Sequence, residues 1–435
     1  MKLIVLAFGL ATGLNLFAGE TLRLKIEPDR DFVMSGSPQE VVVKIDLSAI
    51  DHHKKLQRTP LNLAVVLDRS GSMQGAKIEQ ARQAAMGLVD QLAPGDIFSF
   101  ITYSDGVETV FPAQEVEDKE ALKLRISRVH SAGSTALYAG VEAGASQIKK
   151  HLSARRINRV ILLSDGLANI GPSSPQELRR LGHVLSERGI AVTTIGVGDD
   201  YNEDLMAGLA EASDANYYYV KDTEKLPEIF RKELGELRMV AARQVRIEVI
   251  CPESVRPMGF IGRPEKFEGQ RGAVELNQFT LAQDRYIFLR CLVKDSKPEI
   301  AKVTVNYTDE INGGTAQSVS ESARVRFTHD EKQASGSIRA EVVAQKEFLL
   351  TALAKDAALA DADAGHYQQA AQKLACQASV LEAQCQNAPA PMQQQFREEV
   401  SNLRLRSEQI KQNQYDSSTR KSLQWESYST RNSKN

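Results

Sequence analysis

Two apolar runs, each ending on an aspartate, constrain this chain most. LNLAVVL at 61–67 leads into Asp68, and INRVILLS at 157–164 leads into Asp165. Neither run alternates polar with apolar residues, as a strand with one wet face does. Such runs predict strands covered on both sides, as in a parallel sheet. Around them, AKIEQARQAAMGLVDQL (76–92) and residues 118–129, 135–151, 174–188, 203–213 and 224–237 have helical spacing. Ser174 is placed to cap its helix, with Pro175 at the first helical position. DIFSFITY (96–103), IAVTTIGVG (190–198) and ANYYYV (215–220) read as strands. Strands that alternate with helices pair in parallel, which predicts a doubly wound, mostly parallel α/β domain over 59–238.

The flanks read differently. TLRLKIEP, DFVMSG and EVVVKIDLSAI, within 20–58, alternate as half-buried strands. RQVRIEVICP, GAVELNQFTL, DRYIFLRCLV, IAKVTVNYT and ESARVRFTHD, within 239–332, also read as strands. The first group is too small to fold alone. Economy therefore places both groups in one β-sandwich, with the α/β domain inserted between them. Residues 338–385 are helical and Ala-rich, with Gly365-His366-Tyr367 suggesting a hairpin expected to dock on the sandwich, and 390–412 continue as a polar helix; together they make an α-helical extension over 333–412. Residues 413–435 are rich in Ser, Asn, Gln and Arg and are expected to be a mobile tail, its Arg420, Lys421, Arg431 and Lys434 a solvated basic end.

Met1-Lys2 is followed by LIVLAFGLATGLNLFA, free of charge up to Glu20. The run is shorter than the ~20 apolar residues of a spanning helix. With small residues at Ala18-Gly19 it fits a signal peptide over 1–19, although Leu16 is larger than a cleavage site prefers. An uncleaved N-terminal anchor is the alternative. A signal peptide implies a periplasmic or secreted protein with no integral membrane segment after cleavage. Export would put Cys251, Cys291, Cys376 and Cys385 in an oxidising compartment. Cys251–Cys291 and Cys376–Cys385 is the local pairing; free thiols are the alternative. On one continuous helix the second pair would lie ~13 Å apart along the axis, too far to bridge.

The 54 Lys and Arg against 56 Asp and Glu give a net charge of −2, which excludes bulk electrostatic binding to nucleic acid. Function must come from local groups, and three clusters supply them. Asp68-Arg69-Ser70-Gly71-Ser72 follows the first buried strand, Gly133-Ser134-Thr135 precedes a helix, and Ser164-Asp165-Gly166 follows the other buried strand. In open α/β sheets, loops at the carboxyl ends of the strands line the ligand crevice. The pooled groups are two carboxylates and several hydroxyls, with no His or Cys. That set suits a hard cation such as Mg²⁺, with Ca²⁺ or Mn²⁺ as alternatives. The bland reading makes Ser70 and Ser72 helix caps and Asp165-Gly166 a turn.

DRSGSM, GSTAL and LLSDGLAN, in this order, resemble the metal ion-dependent adhesion site of von Willebrand factor type A domains. TTIGVGDDYNEDLMAGLAEASDANYYYV is similar to the bacterial, calcium-activated-channel-like and inter-α-trypsin-inhibitor-like branch. The resemblance covers about 60–238. It implies that Asp68, Ser70, Ser72, Thr135 and Asp165 hold the metal. It also implies a binding module that captures a protein partner through the partner's Asp or Glu carboxylate. Asp105 reads as a turn residue and Asn169 as a buttress or turn. Alternate tyrosines of Tyr217-Tyr218-Tyr219 read as core, and His52 and His53 as part of a solvated linker. No H-E-x-x-H, G-x-S-x-G elbow or phosphate loop occurs, so an enzyme is not expected. A metal-dependent hydrolase is the remote alternative. A structural scaffold that makes its contacts through the sandwich and helical hairpin is the nearer one.

Overall fold

Every residue of Leu61–Asp68 and of Ile157–Ser164 is buried, and the two strands lie side by side at the centre of a sheet. The computed structural model describes residues 21–50, 58–281, 284–294, 297–412 and 415–432. The leader, His52, His53 and Lys434 lie outside the described residues. The chain opens with β1 (Leu22–Pro28), β2 (Phe32–Met34) and β3 (Gln39–Ala49). The α/β part follows as β4 (Leu61–Asp68), α1 (Ala76–Gln91), β5 (Ile97–Tyr103), β6 (Val107–Glu115), α2 (Lys119–Ser127), α3 (Leu137–Lys150), β7 (Ile157–Ser164), α4 (Pro175–Glu187), β8 (Ala191–Val197), α5 (Glu203–Ala212), β9 (Tyr217–Val220) and α6 (Leu226–Leu237).

The sheet order is β6-β5-β4-β7-β8-β9, parallel except for the edge strand β6. Two apolar layers sandwich this sheet. One joins Leu63, Val65 and Leu67 of β4 to α1 and α6; the other joins Ala64 and Val66 to α3 and α5. Period-2 alternation thus sends neighbouring β4 residues into opposite cores, and this is why the run is apolar throughout. Ser174 and Glu177 form a reciprocal capping box at the start of α4, with Pro175 in its first turn.

The chain then returns through β10 (Val240–Ile250), β11 (Val255–Phe260), β12 (Arg271–Thr280), β13 (Asp284–Val293), β14 (Glu299–Asp309), β15 (Thr315–Arg324) and β16 (Arg326–Thr328). Two four-stranded sheets, β1-β3-β13-β11 and β12-β10-β14-β15, share one apolar core to which β1 and β3 contribute. The early strands therefore complete a sandwich otherwise built after residue 240. ESARVRFTHD splits between the edge strand β15 and the short β16, which pairs in parallel with β2. All four cysteines are free thiols. Cys251 and Cys291 lie buried in the sandwich core, where burial pushes the Cys251 thiol up to about 12. Cys376 and Cys385 sit on one continuous helix, so no turn brings them together.

The C-terminal part is α7 (Glu331–Gly336), α8 (Ala340–Asp363), α9 (Tyr367–Cys385), α10 (Ala390–Lys411) and α11 (Ser417–Arg431). The long helices share a core of Ala358, Leu374, Leu381, Phe396, Leu403 and Leu423. Val342 and Leu349 of α8 pack on Val42 and Phe288 of the sandwich, as expected for the extension.

The expected mobile tail is overturned by α11. Its polar composition hid the helix, because the partners that hold it come from far along the chain. Lys421 Nζ donates to Glu203 at 2.8 Å and stands over the Tyr201 ring. Arg420 pairs with Glu203, Asp204 and Asp363, and Arg431 with Glu211 and Asp356. These cations form a docking face and not a solvated end. Tyr428, 2% exposed, lies edge-on to Tyr217 and donates to the Ala215 carbonyl at 2.5 Å. Tyr428→Ala should destabilise α11 docking by about 3–5 kcal/mol. Faster amide hydrogen exchange over 417–431, with the central sheet still protected, would report that loss.

Candidate metal centre

The site forms where the central strands stop. Asp68 closes β4, and its Oδ1 accepts the Ser70 amide at 2.8 Å, which bends the chain into a single 3-10 turn over Gly71–Met73. Asp68 Oδ2 accepts Ser164 Oγ at 2.7 Å and Tyr103 OH at 3.2 Å, from the ends of β7 and β5. Three strands thus meet at one carboxylate. The turn is pinned to the middle loop by two backbone bonds: Gly71 N donates to Gly133 O at 2.9 Å, and Ala132 N to Arg69 O at 2.7 Å.

The middle loop is held just as closely. Asp105 Oδ1 accepts the Ser134 amide at 2.8 Å, and Asn169 Oδ1 accepts the Thr135 amide at 2.8 Å. Asp105 is thus a loop brace, and Asn169 buttresses Thr135 from the loop after β7. Gly133 has φ +84°, and a Cβ there would collide with the Asp105 carboxylate at 2.4 Å, so this brace requires glycine.

The five predicted residues come together. Ser70 Oγ and Ser72 Oγ are 3.0 Å apart, and Ser72 Oγ donates to Asp165 Oδ1 at 2.8 Å. Gly166 lies beside the hydroxyls. A Cβ built on it would sit 3.1 Å from Thr135 Oγ1, 3.2 Å from Ser72 Oγ and 3.7 Å from Ser70 Oγ. Three hydroxyls from two loops therefore converge on a space that any side chain at 166 would crowd. Asp68 and Asp165 are both fully buried.

Sequence reasoning missed Tyr103 and Lys77. Lys77 Nζ contacts Asp165 Oδ2 at 2.5 Å. Its position in the first turn of α1, after Gly75, was the available signal. Only the tertiary structure aims that turn at Asp165. Of the three tyrosines in β9, Tyr217 is core, whereas Tyr218 and Tyr219 are half-buried.

The donor set fits a hard divalent cation. Among the described residues, no three His, Cys, Asp or Glu side chains group as a metal cage, so hydroxyls must complete any oxygen shell. Among the described residues, the hydrogen-bond partners of Asp68 are all neutral. Burial holds its carboxyl above the usual range; hydrogen bonds from Ser164 and Ser70 oppose this, and Asp165 adds to it. Burial likewise pushes Tyr103 well up, with Asp68 contributing, so Tyr103 stays a neutral donor. A buried carboxylate without a cation is a costly arrangement that a divalent ion would relieve.

Residues 62–232 match the von Willebrand factor type A domain. The α/β part of the chain thus carries a von Willebrand factor type A domain. The chain is similar to the uncharacterized protein sll0103 of Synechocystis sp., with 27% identity over 293 residues, 64% of this chain and 68% of that one. It is also similar to the rat (Rattus norvegicus) inter-alpha-trypsin inhibitor heavy chain H3, with 30% identity over 159 residues, 35% of this chain but 18% of that protein. A von Willebrand factor type A structure from Catenulispora acidiphila shares the fold with a TM-score of 0.71 at 18% identity, over 87% of this chain and 89% of that chain.

The Asp68 shift sets a pH dependence. Its folded value is raised, so between the ordinary carboxylate value and the folded value the native state holds a proton that the unfolded chain has lost. Metal-free stability from this group is therefore greatest in acid and falls as pH rises through that window. Asp68→Asn should remove the fall and raise the metal-free melting temperature at neutral pH relative to the parent. Melting in EDTA between pH 4 and pH 7 measures it.

Proposed function

We propose that the protein is an exported adhesion or assembly module. In this reading it captures a protein partner through a divalent cation held by Asp68, Ser70, Ser72, Thr135 and Asp165. In general terms, a von Willebrand factor type A domain supports a metal-dependent protein-interaction module. The observation that carries the finer reading is the convergence of three hydroxyls on Gly166 beside two fully buried aspartates. The cation, Mg²⁺, Ca²⁺ or Mn²⁺ in this reading, would supply a Lewis-acidic point to which a partner's Asp or Glu carboxylate binds. Asp68 fixes the turn that presents Ser70 and Ser72. Asn169 and Asp105 orient the loop that presents Thr135.

A non-enzymatic role agrees with the hydrogen bonding. Ser70 and Ser72 bond to each other and Ser72 to Asp165, and among the described residues no histidine bonds to either. Export rests on the leader sequence at 1–19. Among the described residues, no helix is long and apolar enough to cross a membrane.

Pull-down from the native envelope or medium, first in Mg²⁺ and then in EDTA, tests the reading. Asp68→Ala should weaken divalent-dependent capture by roughly 10- to 100-fold, since it removes the charged anchor of the turn. Capture that persists in EDTA and in Asp68→Ala would assign the partner contact to the sandwich and the helices instead.

A further inference from the structure

Among the described residues, Lys77 is the one cation paired with a metal-site carboxylate. Its ammonium lies 2.5 Å from Asp165 Oδ2, while Asp165 Oδ1 accepts Ser72 Oγ. The two oxygens of Asp165 thus divide, one turned to the hydroxyl cradle and one to the lysine. The lysine is tethered in place. α1 carries it, and the loop after β8 lies beside it. A Cβ at Gly198 would sit 3.5 Å from Lys77 Nζ, and Asp200 Oδ2 is 4.0 Å away. That loop is itself held by α11: Lys421 stands over its Tyr201 ring, and Lys421 and Arg420 pair with Glu203, where the loop enters α5. Lys77 is 24% exposed, whereas Asp165 is fully buried, so the pair is poorly screened from within the site.

The charge count gives the consequence. Two carboxylates (−2) and Lys77 (+1) leave the metal-free site at −1. A divalent ion then brings it to +1, where the two carboxylates alone would bring it to 0. The added positive charge opposes the metal and attracts an anionic partner.

We propose that Lys77 is an affinity-setting residue of this site, trading divalent-cation affinity for affinity toward the partner's carboxylate. This rests on the metal-mediated reading above. The trade makes the loaded site the better anion receptor, and it makes the cation exchangeable. Its signature is a pair of opposite effects, which a merely structural lysine would not produce.

Calorimetric titration of the full chain with Mn²⁺ alone, then of the Mn²⁺-saturated chain with acetate, tests it. Lys77→Gln should tighten Mn²⁺ roughly tenfold and weaken acetate by a similar factor, while Lys77→Arg, which keeps the charge, stays near the parent. Lys77→Met, read the same way, replaces Lys77→Gln if the latter melts below the assay temperature. If the parent binds Mn²⁺ and the folded neutral variant binds it no tighter, or shows only one of the opposed effects, the inference falls and the metal site stands. If neither chain binds Mn²⁺, both fall. Binding only in the neutral variant would support the inference in its strongest form, a lysine that holds the site closed.

Discussion

The structure depends on carboxylates buried at the ends of its central strands. Asp68 and Asp165 lie where β4 and β7, both covered on two faces, leave the sheet. An ionised carboxylate in such a place is unfavourable unless something compensates it. Compensation is what organises the surroundings. Ser164 and Tyr103 donate to Asp68 from neighbouring strands, and Ser72 and Lys77 approach Asp165 from the turn and helix after β4. The apolar sheet supplies the rigid frame, and these polar demands decide which loops meet at its edge.

That constraint reaches beyond the α/β domain. The loop after β8 lies against Lys77, carries Tyr201, and leads into α5 at Glu203; Lys421 of α11 meets both residues. α11 grips this loop and the β9 edge, while the helices packed with α11 also rest on the sandwich through Val342 and Leu349. Arg285 of the sandwich pairs with Asp214 of the α/β domain, so the three parts form a closed ring of contacts with α11 as the clasp. The sandwich closes a second way, because β1 and β3 were made before the inserted domain and β10 to β15 after it.

The sequence was most legible where periodicity is enforced by burial on both faces. The central strands, the flanking helices and all five oxygen-bearing residues followed from apolar runs with short polar punctuation. Expectation failed at α11. Its residues Ser417 to Arg431 include three cations and few apolar side chains, so composition pointed to a solvated end. The acids that hold it, Glu203, Asp204, Glu211, Asp356 and Asp363, belong to other elements. No local pattern carries that information. The cysteines illustrate the same limit: spacing left pairing open, and the continuous helix α9 together with the buried thiols of the sandwich resolved it.

By itself the sequence determined the doubly wound sheet, its insertion between β segments, and the cluster of carboxylates and hydroxyls at the strand ends. Those properties are set by side-chain period and by short motifs, both local in the chain. Only the tertiary structure decided that Lys77 faces Asp165, that Asp105 and Asn169 brace the Thr135 loop, and that the C-terminal helix clasps the β9 edge. Each of these joins residues about 30 to 220 positions apart. Such pairings are fixed by how whole elements pack, because burial leaves a charged or polar group stable only where another element delivers its partner.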